Sequence, residues 1–161
     1  RFIPTYFMHT LSFVEMANLY VEEGRKHGVE YALGQNQNIV RWPHITKSRE
    51  EYVQRLLDYD LDIYKNFYGP FFPQFPNSAD ESEYLASMEK SGIFIGGTVE
   101  ESIRQWKELF DQVPSEYITL IWHWAQVPKE VMMEELQLFM DKVLPELEIP
   151  DFEPIPAVAA E

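Results

Sequence analysis

A strand-like run followed by a helical run, repeated four times, constrains this chain more than any other feature of its sequence. The first helical pattern opens at Ser12 with Glu15 three residues on, the spacing of a capping box. It sets Phe13, Met16, Ala17, Tyr20 and Val21 on one face before Gly28. The second opens at Ser48 with Glu51 and carries Tyr52, Leu56, Tyr59, Ile63 and Phe67 as far as Gly69-Pro70. The third opens at Thr98 with Glu101, bears Ile103, Trp106, Leu109 and Phe110, and ends before Pro114. The fourth starts at Pro128 and aligns Val131, Met132, Leu136, Phe139, Met140 and Val143 before Pro145. Ahead of each lies an apolar, β-rich run: Phe2 to Met8, Leu33 to Arg41, Ile93 to Ile95, and Tyr117 to Trp124. Such alternation predicts a parallel sheet with helices outside it, either doubly wound or closed into a barrel.

Two segments break the rhythm. Residues Gly69 to Gly92, with five aromatic or proline residues in Pro70-Phe71-Phe72-Pro73 and Phe75 alone, are too long for an ordinary connection and read as a lid or as an extra packing element. After Pro145, the prolines at 150, 154 and 156 rule out a continuing helix, so 148–161 reads as an acidic, Pro-rich tail on a domain spanning 1–147. The chain opens on Arg1 rather than Met, directly with a strand-like run, and we expect more sequence upstream.

The formal charge of −14 disfavours nucleic acid and anionic lipid as partners. Half of that excess lies between Lys129 and Glu161, nine acids against two bases, where a solvated outer face accounts for it. With no cysteine there is no disulfide and no thiolate chemistry. No apolar run is long enough to span a membrane and no secretory leader is evident, so the expected compartment is the cytoplasm.

Ligands of parallel α/β folds bind at the carboxyl ends of the strands. That rule selects His9 after the first strand, Arg41, Trp42 and His44 after the second, Gly96, Gly97 and Thr98 after the third, and His123 and Trp124 after the fourth, as the rim of a pocket. Each histidine alone reads more readily as a hydrogen-bonded structural residue than as a functional one, and their joint placement is the argument. His27, in the last turn of the first helix, complements the helix dipole. In the last strand, Ile118, Leu120 and Trp122 form an apolar face for helices, whereas Thr119, Ile121 and His123 would face a barrel interior. Gly96-Gly97-Thr98 before a helix suits either an anion or a plain tight turn. No histidine pair has metal-ligand spacing, and no metal is expected.

The stretch Ile95-Gly96-Gly97-Thr98-Val99-Glu100-Glu101, the strand Tyr117 to Trp124, and the helix carrying Met133, Leu136, Leu138, Phe139, Val143 and Pro145 resemble the closing segment of luciferase-like flavin-dependent monooxygenases. Val99 stands where that family often has Pro, and Tyr20 to Gly28 also looks like one of its helices. The resemblance implies an α/β fold, the C-terminal portion of a (β/α)8 TIM-type barrel with about four parallel βα units. It implies reduced flavin (FMN, or a deazaflavin) acting with oxygen or by hydride transfer on a small organic substrate. It assigns no catalytic residue here, because the family's flavin phosphate site comes from earlier segments. The alternative is a non-catalytic flavin-binding or scaffold half-barrel that pairs with another chain. Either way the chain alone is expected to self-associate or to need its N-terminal half, and not to bind flavin tightly.

Overall fold

The computed structural model describes residues 3–6, 10–68, 70, 80–122 and 127–153. The chain runs β1 (Thr5–Tyr6), α1 (Thr10–Lys26), β2 (Asn38–Ile45), α2 (Arg49–Arg55), α3 (Glu81–Ser91), β3 (Phe94–Gly97), α4 (Val99–Phe110), β4 (Tyr117–Leu120) and α5 (Lys129–Leu138). The helix of α2 continues to Tyr68 through π-helical turns at Leu56–Asp60 and Ile63–Tyr68. The helix of α5 continues through a π-helical turn at Phe139–Val143 into a 3₁₀ turn at Leu144–Glu146.

All strand pairs are parallel, as the alternation predicts, and β2 is their hub. Successive backbone groups of a strand point to opposite edges, so the hydrogen bonds place its neighbours. The N–H of Asn38 donates to Pro4 beside β1, and those of Trp42 and Thr46 donate to Ile93 and Gly97 of the β3 segment. The carbonyls of Gln37 and Arg41 instead accept from Tyr117 and Ile121 of the β4 segment. Thus β1 and β3 share one edge of β2, and β4 takes the other.

Helices cover both faces of this sheet. Ile39, Ile45 and Ile95 on one face pack with Phe13 and Ala17 of α1, Trp106, Leu109 and Phe110 of α4, and Phe139 and Val143 beyond α5. The other face sets Trp42 and Phe94, stacked at 5.1 Å between centroids, under Tyr52, Leu56, Tyr64, Tyr84 and Met88. Each such fully buried side chain contributes roughly 1.5–3 kcal/mol. Of the two arrangements that the alternation allows, helices on both faces are those of a doubly wound sheet, with the Ser48 helix on the face opposite the Ser12 and Thr98 helices. An open sheet must bury two apolar faces, and the aromatic stripe of α2 covers the one that a closed barrel would turn inward. Ile118 and Leu120 pack on the α1/α4 side as expected, and Ile121 joins the α2 side.

Boundaries moved for local reasons. The second strand is Asn38–Ile45 rather than Leu33 to Arg41, because Gly34 (φ 85°) and Asn36 (φ 57°) turn the chain just before it. Gly34 also lies against the Pro114 carbonyl, where a Cβ would meet the oxygen at 2.1 Å. Helix α1 starts at Thr10, so Ser12 is inside it and caps nothing. Thr98 and Glu101 form the full reciprocal box, with Thr98 N–H donating to Glu101 at 2.8 Å and Glu101 N–H donating to Thr98 Oγ1 at 3.3 Å. Ser48 caps α2 by accepting from Glu51 N–H, while the Glu51 carboxylate takes the Lys47 N–H instead of closing the box.

Of the 69–92 segment, the part from Asp80 onward is a packing element. Asp80 caps α3, Tyr84 and Met88 bury against β3, and Gly92 ends the helix in the left-handed conformation. Residues 69 and 71–79 of that segment lie outside the described residues.

The π-helical turns explain which residues are buried. An α-helix has 3.6 residues per turn, so positions four apart drift around it, and the wider i→i+5 turn corrects that drift. Tyr52, Leu56, Asp60 and Tyr64, each four apart, are all buried, and so are Glu135, Phe139 and Val143. Phe67 and Met140, which an unbroken 3.6-residue period places on the apolar faces, are instead exposed. One acid on each buried line, Asp60 and Glu135, is thereby carried into the interior.

Candidate functional site

The two buried acids meet at His44, next to last in β2. Its Nε2 lies 2.7 Å from Asp60 Oδ2 and its Nδ1 lies 2.9 Å from Glu135 Oε2. Ionised carboxylates only accept hydrogen bonds, so both ring nitrogens donate and the ring is an imidazolium. Burial opposes that charge, but the hydrogen bonds from Asp60 and Glu135 outweigh it and hold His44 up at about 9. Trp122 Nε1–H donates to the same Glu135 oxygen at 2.6 Å, and Arg55 Nη1 stands 3.8 Å from the other. Two cationic and two anionic groups from β2, α2 and its extension, and α5 thus close on one point. With both nitrogens committed and 2 % of its surface exposed, His44 is placed to pin α2 and α5 to the end of β2, not to exchange protons with a ligand.

Above this cluster, at the carboxyl ends of β2 and β3, lies a cleft of about 470 Å³. Thr46, Thr98, Val99 and Leu138 contribute to its walls, with Lys47 and Arg55 as bases and Glu51, Glu100, Glu134 and Glu135 as acids. Gly96 and Gly97 lie beneath it in β3. A Cβ on Gly96 would meet the Tyr52 ring at 2.4 Å, and Gly97 takes φ 117° with Glu101 packed against it. Both glycines therefore serve close packing of α2 and α4 on the strand.

Of the residues selected at strand exits, Thr98 borders the cleft, and its partner group is supplied by Glu101. His44 lies below the cleft and touches it through Glu135. Arg41 and Trp42 fall inside β2, because the strand ends four residues later than the sequence suggests; both are buried, Trp42 in the aromatic cluster and Arg41 on the opposite face. His9, His123 and Trp124 lie outside the described residues. Asp60, Glu135, Arg55 and Lys47 were not selected by the strand-exit rule. The legible signal for Glu135 is its place four residues before Phe139 and eight before Val143 on one helical line.

Among the described residues no group of three His, Asp or Glu side chains is arranged to hold a metal, and no helix is long and apolar enough to cross a membrane.

Flavin mononucleotide carries a phosphate, and the cleft does not suit one. Four carboxylates outnumber two cations on its walls, and the N–H of Thr98 that opens α4 is already taken by Glu101.

By sequence, no family model and no curated protein matches the chain. By structure it is similar to a type II Baeyer-Villiger monooxygenase, the oxygenating constituent of 3,6-diketocamphane monooxygenase from the CAM plasmid of Pseudomonas putida in complex with FMN. The TM-score is 0.74 at 13% identity, over 92% of this chain and 44% of that one. The likeness establishes the fold as mixed α/β with a parallel sheet, shared with part of an FMN-binding monooxygenase. The chain spans less than half of that protein's length.

Proposed function

We propose that this chain is a portion of a flavin-dependent monooxygenase of the luciferase-like kind, contributing the closing βα units of a (β/α)8 barrel that uses reduced FMN and oxygen on a small organic substrate. One observation carries this reading: 92% of the chain superposes on 44% of an FMN-dependent monooxygenase with a TM-score of 0.74. The residues that resemble the family's closing segment, Ile95 to Ser102 and Met133 to Pro145, support it independently. Because the described cleft is acidic and its helix cap is satisfied, the flavin phosphate belongs on segments other than these. This chain's share is then to form a wall, with the His44 cluster locking α2 and α5 so that the wall keeps its shape.

A second reading is favoured by the aromatic packing of α2 and α3 over the face that would line a barrel. A sheet covered in this way has no lumen there, which suits a non-catalytic half-barrel that pairs with another chain. FMN titration and sedimentation of the 161-residue chain, beside the product of the complete reading frame that contains it, separate the two. The enzyme reading expects no micromolar flavin binding by the chain alone, and flavin binding with flavin-dependent oxygen uptake by the longer product. A longer product that neither binds flavin nor takes up oxygen supports the scaffold. A well-folded 161-residue monomer that binds reduced flavin at micromolar concentration would overturn the assignment of the cofactor to other segments.

A further inference from the structure

Glu135 enters the His44 cluster with one oxygen only. Both hydrogen bonds that it accepts, from His44 Nδ1 and Trp122 Nε1, fall on Oε2. Its Oε1 accepts none, although the side chain is only 2 % exposed. Arg55 Nη1 stands 3.8 Å from that oxygen, beyond the reach of a hydrogen bond. A buried carboxylate oxygen without a donor is costly, and folded proteins leave few such atoms unsatisfied.

The same side chain forms part of the wall of the 470 Å³ cleft at the carboxyl ends of β2 and β3, a volume in the range of small-molecule sites. The rest of the wall divides by chemistry. Ile45, Val99 and Leu138 make it apolar in part. Glu100 of α4 and Glu134 of α5 are exposed acids from two separate helices, and among the described residues neither forms a salt bridge. Of the two bases, Arg55 is engaged by Glu51 at 3.1 Å, and Lys47 is exposed. The cleft therefore joins an excess of carboxylates, an unused buried acceptor and a hydrocarbon surface.

We propose that this cleft binds a primary alkylammonium ligand. The ammonium donates to Glu135 Oε1, the alkyl stem lies on Ile45, Val99 and Leu138, and Glu100 and Glu134 add to the attraction. A charged N–H donor on a carboxylate is the strong kind of hydrogen bond, and the stem gains by leaving water. Arg55 gives way to admit the ammonium: its side chain is 20 % exposed, and its one hydrogen bond among the described residues runs to Glu51. An anion would meet the same carboxylates as like charges, and an alcohol would bring a donor without the charge. The ligand class follows from the cleft alone and does not depend on the flavin assignment.

The test uses the full 161-residue chain in amine-free buffer at neutral pH, with butylammonium chloride as the probe. The references are 1-butanol, which has the stem without the charge, and tetramethylammonium chloride, which has the charge without an N–H. Titration calorimetry and thermal melting are the readouts. Saturable binding of butylammonium is expected, at least tenfold tighter than that of either reference. Glu135→Gln should weaken it by roughly 10- to 100-fold, as loss of a charge-assisted pair does. Arg55→Gln, which removes the competing cation, should tighten it. If Glu135→Gln does not fold, the double variant Glu100→Gln/Glu134→Gln carries the test; both positions are exposed, and binding should weaken about fivefold. Wild-type protein that shows no saturable binding of butylammonium in the millimolar range overturns the proposal, and so does equal binding of 1-butanol or of tetramethylammonium. A folded Glu135→Gln protein, or in its place the double variant, that binds butylammonium as the wild type does overturns it as well.

Discussion

Three residues apart on one strand, His44 and Arg41 show two ways of placing a cation in a protein interior. His44 sits between two carboxylates, with Arg55 and Trp122 completing the set. Arg41 has two neutral acceptors and an aromatic ring. The difference shows in how each group titrates. At His44 burial is outweighed by its two acids and the ring is held up at about 9, whereas at Arg41 burial acts alone and pulls the guanidinium down to about 9. The first cation holds elements together through charged partners, and the second is held by neutral ones.

The contrast is open to direct attack, and the largest effect belongs to the compensated side. Glu135→Ala leaves the Trp122 N–H without its acceptor and the buried imidazolium with one acid. It should lower unfolding stability by about 3–5 kcal/mol in chemical denaturation. A loss below 1 kcal/mol would mean that the cluster does not hold α5 to β2.

Next in size is a pH effect. The folded value of His44 lies above its ordinary 6.5, at about 9. Its contribution is therefore complete below pH 6.5 and lost as pH rises through 9, on the order of 3 kcal/mol. Denaturation midpoints measured from pH 6 to 10 should fall across that window, and a His44→Gln variant should show a flat profile over it. An equal decline in both proteins would assign the effect to other groups.

Arg41 should respond in the opposite sense. Arg41→Met removes a buried charge that has no acidic partner among the described residues and keeps most of the volume, so the protein should gain on the order of 2 kcal/mol. A large loss of stability in low-salt buffer would show that the guanidinium is compensated after all. The smallest effect is that of Thr10→Val, which takes one neutral acceptor from Arg41 and should cost about 1 kcal/mol. Combined with Arg41→Met, that cost should shrink, because the partner is already gone.

The sequence carried the βα alternation far enough to predict parallel pairing, the Thr98 capping box, and the apolar face of α4 through Trp106, Leu109 and Phe110. These features depend on neighbours within a few positions, where spacing and capping chemistry act directly. Local turn geometry was harder to read. The bend at Gly34 to Asn36 moved β2 along the chain and took Arg41 and Trp42 from a strand exit into the strand interior. Helix α3 was hidden by the aromatic and proline residues before it, although Asp80 and Gly92 mark its ends.

The rest was decided in three dimensions. No local rule says that the Ser48 helix covers the opposite face from its three companions, since that depends on which sheet surface remains to be buried. Nor does spacing show that Asp60 and Glu135, 16 and 91 residues from His44, converge on one ring. Periodicity tells which side of a helix turns inward. Only the packed arrangement tells what that side will meet, and a buried charge takes its meaning from that meeting: Asp60, Glu135 and Arg55 make His44 a clasp, whereas Arg41 meets, among the described residues, only neutral acceptors and a ring.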